Sequence, residues 1–125
     1  MVPEDLHYSD EHEWVRLDDD IATIGITDYA QDQLGDIVYV ELPEPGEEVV
    51  AGNTVGELES TKSVSDIYAP LSGTIIARND GLESNPEVVN SDPYGEGWLF
   101  KVRVSEDDPL EGLHEAEEYA RLTAG

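Results

Sequence analysis

The sequence predicts a mainly β fold, a small flattened barrel or sandwich with short helices and a C-terminal helix. Three observations predict it. Short β-branched runs such as Ile21–Ile26 and Ile37–Leu42 recur along the 125 residues and read as strands. Glycine and proline turns punctuate them at short intervals, as in small all-β domains. A weak internal echo, Pro45-Gly46 before one strand pair and Ser72-Gly73 before another, flanks Lys62. Two such halves packed face to face would leave the Lys62 hairpin protruding at one end.

The elements follow in order. Glu13–Leu17 and Ile21–Ile26 read as strands joined by the acidic turn Asp18-Asp19-Asp20. Those aspartates lack the glycine and distal glutamate of a calcium loop, so they read as a solvated hairpin tip. Asp28 and Gln31 resemble a capping box and Gly35 a stop, framing one short helix, Tyr29–Leu34. Asp36–Leu42 is a strand ended by Pro43-Glu44-Pro45-Gly46. Glu47–Val50 and Asn53–Leu58 follow, with Ala51-Gly52 turning between them. The Lys62 hairpin, spanning about 57–70, returns through a strand at Asp66–Tyr68, and Pro70–Gly73 turns into Thr74–Arg78. After the turn at Asn79-Asp80-Gly81, Asn85-Pro86 marks a helix start within Ser84–Asn90. Trp98–Val104 alternates, with Trp98, Phe100, Val102 and Val104 on one face and Leu99, Lys101 and Arg103 on the other. Asp108-Pro109 opens a C-terminal helical segment over about 108–122, interrupted near Gly112. One domain is expected from this length.

Composition narrows the function. Thirty acidic residues oppose six basic ones, a net charge of −24, which repels nucleic acid and anionic membrane. The acids are interleaved with ordered β-branched runs, so they read as the surface of a packed core rather than as a disordered chain. Such a surface suits a salt-rich cytoplasm, where the screening length shrinks to about 3 Å at 1 M. A halophilic source is therefore an expectation; equal stability in dilute buffer and molar KCl would argue against it. There is no cysteine, which excludes disulfides, thiolate metal sites and any redox thiol of the chain's own. The N-terminal residues carry no targeting pattern and no run reaches membrane-spanning length, so a cytoplasmic protein, monomeric and without membrane partners, is expected.

Lys62 is one of two lysines and sits among acids, small polar residues and turn formers, Glu57-Leu58-Glu59-Ser60-Thr61-Lys62-Ser63-Val64-Ser65-Asp66. A Schiff-base lysine would be buried to depress its pKa. Nothing around Lys62 offers that, and the neighbouring acids favour the charged form. It reads as a poor nucleophile and a good substrate for acylation by a prosthetic arm. Lys101 lies mid-strand with no turn to present it. His7, His12 and His114 form no metal-ligand pattern, so no metal site is expected, and His12 is expected to pack or hydrogen-bond beside Trp14. No phosphate-binding glycine loop and no nucleophile–base constellation occurs.

Glu57-Leu58-Glu59-Ser60-Thr61-Lys62, with Ser65-Asp66-Ile67-Tyr68-Ala69-Pro70 and Ser72-Gly73, resembles the lipoyl-attachment segment of the glycine cleavage system H proteins. His12-Glu13-Trp14-Val15, Leu34-Gly35-Asp36-Ile37-Val38, Asn85-Pro86, Val89-Asn90 and Pro93-Tyr94-Gly95-Glu96-Gly97-Trp98 extend the likeness from about Leu6 to Leu122. The resemblance implies a barrel-sandwich hybrid of the biotinyl/lipoyl-carrier type and a non-catalytic carrier, with lipoate amide-linked to Lys62. It implies that a methylamine unit is received from glycine decarboxylase (P protein) and passed to the aminomethyltransferase (T protein). Dihydrolipoyl dehydrogenase (L protein) then reoxidises the arm. Tethering raises the arm's effective concentration at each partner. A lipoate ligase or octanoyltransferase would install the arm, with Glu59 and Gly73 at positions such enzymes are expected to read. For Gly73 a tight turn with positive φ is the expected physical reason. Glu13 and Asp66 match the acids that hold the loaded amine in a cleft, while Glu11 and Gln33 depart from residues common in the family. An H-like lipoyl carrier serving sulfur oxidation or lipoyl relay is the alternative, followed by a lipoyl or biotinyl domain of a larger complex.

Overall fold

The computed structural model describes residues 3–105 and 110–123. Among them the strands are β1 (His7–Tyr8), β2 (Glu13–Asp18), β3 (Ile21–Ile26), β4 (Ile37–Glu41), β5 (Glu48–Val49), β6 (Thr54–Ser60), β7 (Val64–Tyr68), β8 (Gly73–Arg78), β9 (Phe100–Val104) and β10 (His114–Glu115). The helices are α1 (Asp28–Leu34), α2 (Gly81–Ser84), α3 (Val88–Ser91) and α4 (Ala116–Thr123).

Two antiparallel sheets result, one ordered β10-β1-β2-β3-β9-β8-β5 and the other β4-β6-β7. They do not close into one barrel; the architecture is a flattened sandwich. Ile24, Ile37, Leu58, Ile67, Ile75 and Phe100 meet in its core, each contributing roughly 1.5–3 kcal/mol by burial. A second cluster, Leu6, Tyr8, Trp14, Ala116 and Tyr119, seats α4. The echo around Lys62 resolves into a sheet exchange. β5 pairs not with β6 but with β8, Glu48 opposite Thr74, so the Ala51-Gly52 turn carries the chain from one sheet to the other. The β6–β7 hairpin is left as the centre and edge of the smaller sheet.

Several boundaries differ from expectation for identifiable reasons. Thr27, not Asp28, caps α1: its hydroxyl accepts from Ala30 N–H at 3.1 Å. Asp28 instead accepts from the Gln31 amide within the helix. Gly35 ends α1 as expected, with φ +82 and its N–H on the Gln31 carbonyl. The helix expected at Asn85-Pro86 divides into α2 and α3, with those two residues between them. Leu99, placed outward by alternation, is fully buried, because β9 starts at Phe100 and the pleat does not extend back to residue 99. Lys101 is half-buried, its ammonium 5.3 Å from the Trp98 ring centroid. Of the expected 108–122 helical segment, Asp108 and Pro109 lie outside the described residues, Leu110–Gly112 form a turn, and helix begins only at Ala116. The short strands β1 and β10, which pair with each other, gave no local sequence signal.

Candidate functional site

The site is built around the β6–β7 hairpin. Ser60 organises its turn: the Ser60 hydroxyl accepts from the Lys62 and Ser63 N–H groups at 3.1 and 3.0 Å, and Ser60 N–H donates to the Ser63 carbonyl. Small polar residues are what such a turn requires. Lys62 is exposed at its tip. Its aliphatic stem does not simply extend into solvent. It crosses Gly35, so closely that a Cβ there would sit 2.7 Å from Lys62 Cε. Thr61 N–H donates to the Asp36 carbonyl at 3.1 Å. The hairpin tip therefore rests on the junction between α1 and β4.

Register fixes the face this hairpin shows. Tyr39 pairs with Glu59 and Glu59 with Val64; Glu41 pairs with Glu57 and Glu57 with Asp66. Directly paired residues share a face. The outer face of the smaller sheet thus carries one rung of Tyr39, Glu59 and Val64 and another of Glu41, Glu57 and Asp66. Tyr39, Val64 and Asp66 are exposed, Glu59 less so.

A cleft of about 380 Å³ lies at the far end of β7, lined by residues including Ser9, Asp10, Glu11, Glu13, Tyr68 and Leu113. Glu13 is its chemical centre. It is 2% exposed. The Ser9 hydroxyl donates to Glu13 Oε1 at 2.6 Å and Tyr68 N–H to Oε2 at 3.3 Å. Burial pushes the carboxyl up to about 7, against the pull of those two hydrogen bonds and with help from the Glu11 charge. Glu13 thus titrates near neutrality.

The expected site residues are partly brought together. Glu13 lines the cleft, and Asp66 lies two residues before Tyr68, outside the lining but on the same face of β7. Lys62 and Tyr68 are six residues apart along an extended hairpin arm, roughly 20 Å. A bare lysine does not span that distance. Gly73 is remote from the turn, buried at the start of β8. Its φ is not positive, which corrects the expected reason for glycine. A Cβ there would lie 2.1 Å from the Arg103 carbonyl oxygen, so the close approach of β9 excludes any side chain.

His12 hydrogen-bonds to Tyr119, which shares a core cluster with Trp14. Its Nδ1 lies 2.8 Å from the Tyr119 hydroxyl, which is also 2.7 Å from Thr27 Oγ1; burial lowers the His12 pKa. Ser9, Tyr68 and Asn90 were missed as contributors, since their roles arise from partners distant in sequence. Among the described residues no group of three or more histidine, aspartate or glutamate side chains is placed to hold a metal ion. No described helix is long and apolar enough to cross a membrane.

Residues 6–124 match the family described as glycine cleavage H-protein. The glycine cleavage system H protein of Micrococcus luteus is 58% identical over 125 residues, covering 98% of both chains. That of Bacteroides thetaiotaomicron is 51% identical over 123 residues, again covering 98% of both. The crystal structure of a glycine cleavage system H protein from Mycobacterium marinum superposes with a TM-score of 0.92 at 41% identity. It covers 99% of this chain and 100% of that one.

Proposed function

The chain belongs to the glycine cleavage H-protein family, and from that premise we propose that Lys62 carries lipoate and that the cleft around Glu13 shelters the loaded arm. Its role is that of the lipoyl carrier in glycine cleavage. The observation that carries the residue assignment is the single amine exposed on a self-bonded turn, with a buried, near-neutral carboxyl at the other end of the same hairpin arm.

The residues fit the group. An exposed primary amine on a polar turn is accessible for amide formation, and a chain without cysteine has no dithiol of its own. When bound, lipoate supplies the disulfide ring whose sulfur takes up the methylamine unit of glycine and gives it up again. The chain's residues do the rest. Ser60 fixes the turn. β7 sets the line from Lys62 toward the cleft. Glu13, held by Ser9 and Tyr68, offers a carboxylate to a cationic amine there, while Asp66 adds negative charge on the approach. A cation beside Glu13 favours its ionised form, so accepting a protonated amine releases a proton from this carboxyl near neutral pH.

Glycine decarboxylase, the aminomethyltransferase and dihydrolipoyl dehydrogenase are the catalytic partners on this reading. Glu59, beside Val64 on the outer rung, would be read by a lipoate ligase or octanoyltransferase. Gly73 would contribute through the packing of β8 on β9.

Intact mass spectrometry of protein from its native host tests attachment. One lipoyl adduct on Lys62, absent from Lys62→Arg, is expected; an unmodified Lys62 or an adduct on Lys101 would refute it. Reconstitution with glycine decarboxylase then separates glycine cleavage from another lipoyl pathway, since only the former exchanges the glycine carboxyl carbon with bicarbonate.

A further inference from the structure

The Lys62 turn rests on the α1–β4 junction, and one side chain from a different part of the chain secures that junction. Asn90, in α3, uses both ends of its amide. Its Oδ1 accepts from Ile37 N–H at 2.8 Å. Its Nδ2 donates to the Gly35 carbonyl and to Gln31 Oε1, both at 2.9 Å. Gly35 is the residue beneath the Lys62 stem, and Asp36, between the two clamped positions, accepts from Thr61 N–H. The hairpin's own turn bonds run through Ser60 and need nothing from Asn90.

We propose that Asn90 is a positioning residue for modification of Lys62: it locks Gly35–Ile37 into the platform on which the lysine stem and Thr61 rest, and so fixes where the turn presents its amine. An aspartate cannot substitute. It keeps an acceptor for Ile37 but loses both donor bonds, setting a carboxylate oxygen against the Gly35 and Gln31 oxygens. The turn would still form in such a variant, but its placement relative to α1 would loosen. A modifying enzyme must recognise the amine in one geometry, so it would first have to order the turn. This inference rests on Lys62 being the acylated residue.

The test combines a measurement on the unmodified chain with one on the reaction. In the parent protein, NMR should give nuclear Overhauser contacts between Lys62 Hε and Gly35 Hα. In Asn90→Asp and Asn90→Ala these contacts should vanish while the amide spectrum stays that of the folded sandwich. With purified lipoate ligase, lipoate and ATP, kcat/KM for Lys62 should fall about tenfold through KM, with full modification still reached at long times. Gln31→Leu, which removes one of the three Asn90 bonds together with the Gln31 amide bond to Asp28, serves should the Asn90 variants not fold, and should show an intermediate loss. Retained contacts, or an unchanged KM in a folded variant, would overturn the proposal. A parent chain that never takes an adduct on Lys62 would instead overturn the attachment reading and the positioning role that depends on it, even where the Lys62–Gly35 contacts prove sensitive to Asn90.

Discussion

Tyr68 N–H donates to Glu13 Oε2 at 3.3 Å, and this bond joins the two sheets, because Glu13 lies in β2 of the larger sheet and Tyr68 in β7 of the smaller. One carboxyl thereby does two things. It pins the inner end of the hairpin arm that displays Lys62, and it lines the cleft.

Glu13→Gln should flatten the dependence of stability on pH. The folded pKa of Glu13 lies above its ordinary value, rising from 4.5 to about 7. The folded state therefore holds the proton more tightly, and the stability this brings is present below pH 4.5 and lost as pH rises toward 7. At about 1.4 kcal/mol per unit, the loss is on the order of 3 kcal/mol. Urea midpoints of parent and variant should converge at low pH and separate at pH 8, with the variant more stable there. Parallel curves would mean that Glu13 is not protonated by burial.

Gly73→Ala tests the corrected role of that glycine. A methyl group 2.1 Å from the Arg103 carbonyl oxygen must push β8 from β9, at ~2 kcal/mol or more. The expected outcome is a lower Tm with near-normal lipoylation of the molecules that remain folded. Normal stability with lost lipoylation would make Gly73 a directly read position instead.

Tyr119→Phe should loosen α4. The hydroxyl lies between Thr27 Oγ1 and His12 Nδ1, and Thr27 is fully buried. Its removal takes the partner from His12 Nδ1 and one of two partners from Thr27 Oγ1, which keeps its bond from Ala30 N–H, at about 1–3 kcal/mol, while the stacked Tyr8 ring, at a 4.5 Å centroid distance, stays in place. Thermal unfolding and amide exchange in α1, whose cap is Thr27, should both report it.

His114, in β10, ties Asp10 to Glu118 of α4. It bonds to Asp10 through Nε2 and to Glu118 through Nδ1, and the Asp10 hydrogen bond, then that from Glu118, raises its pKa. The stabilising contribution is complete below the ordinary histidine value and disappears as pH climbs through the raised one. Both carboxylates are solvent-exposed, so screening limits it to about 1 kcal/mol or less. His114→Gln should cost stability at pH 6 and little at pH 9. An equal cost at both would assign His114 a packing role only.

Much of this protein was legible residue by residue. Short strand-forming runs bounded by turn residues gave β2, β3 and β4, glycine at residue 35 gave the end of α1, and the acids and turn formers around Lys62 gave an exposed amine. Each is a local property, fixed by backbone conformation and by the polarity of near neighbours. The tertiary structure alone decided the rest: the near-neutral Glu13, the Lys62 stem laid across Gly35, the steric reason for Gly73 and the clamp made by Asn90. Those depend on desolvation, close contacts and hydrogen bonds between residues 27 to 59 positions apart, contacts that exist only once the two sheets and α3 have packed together.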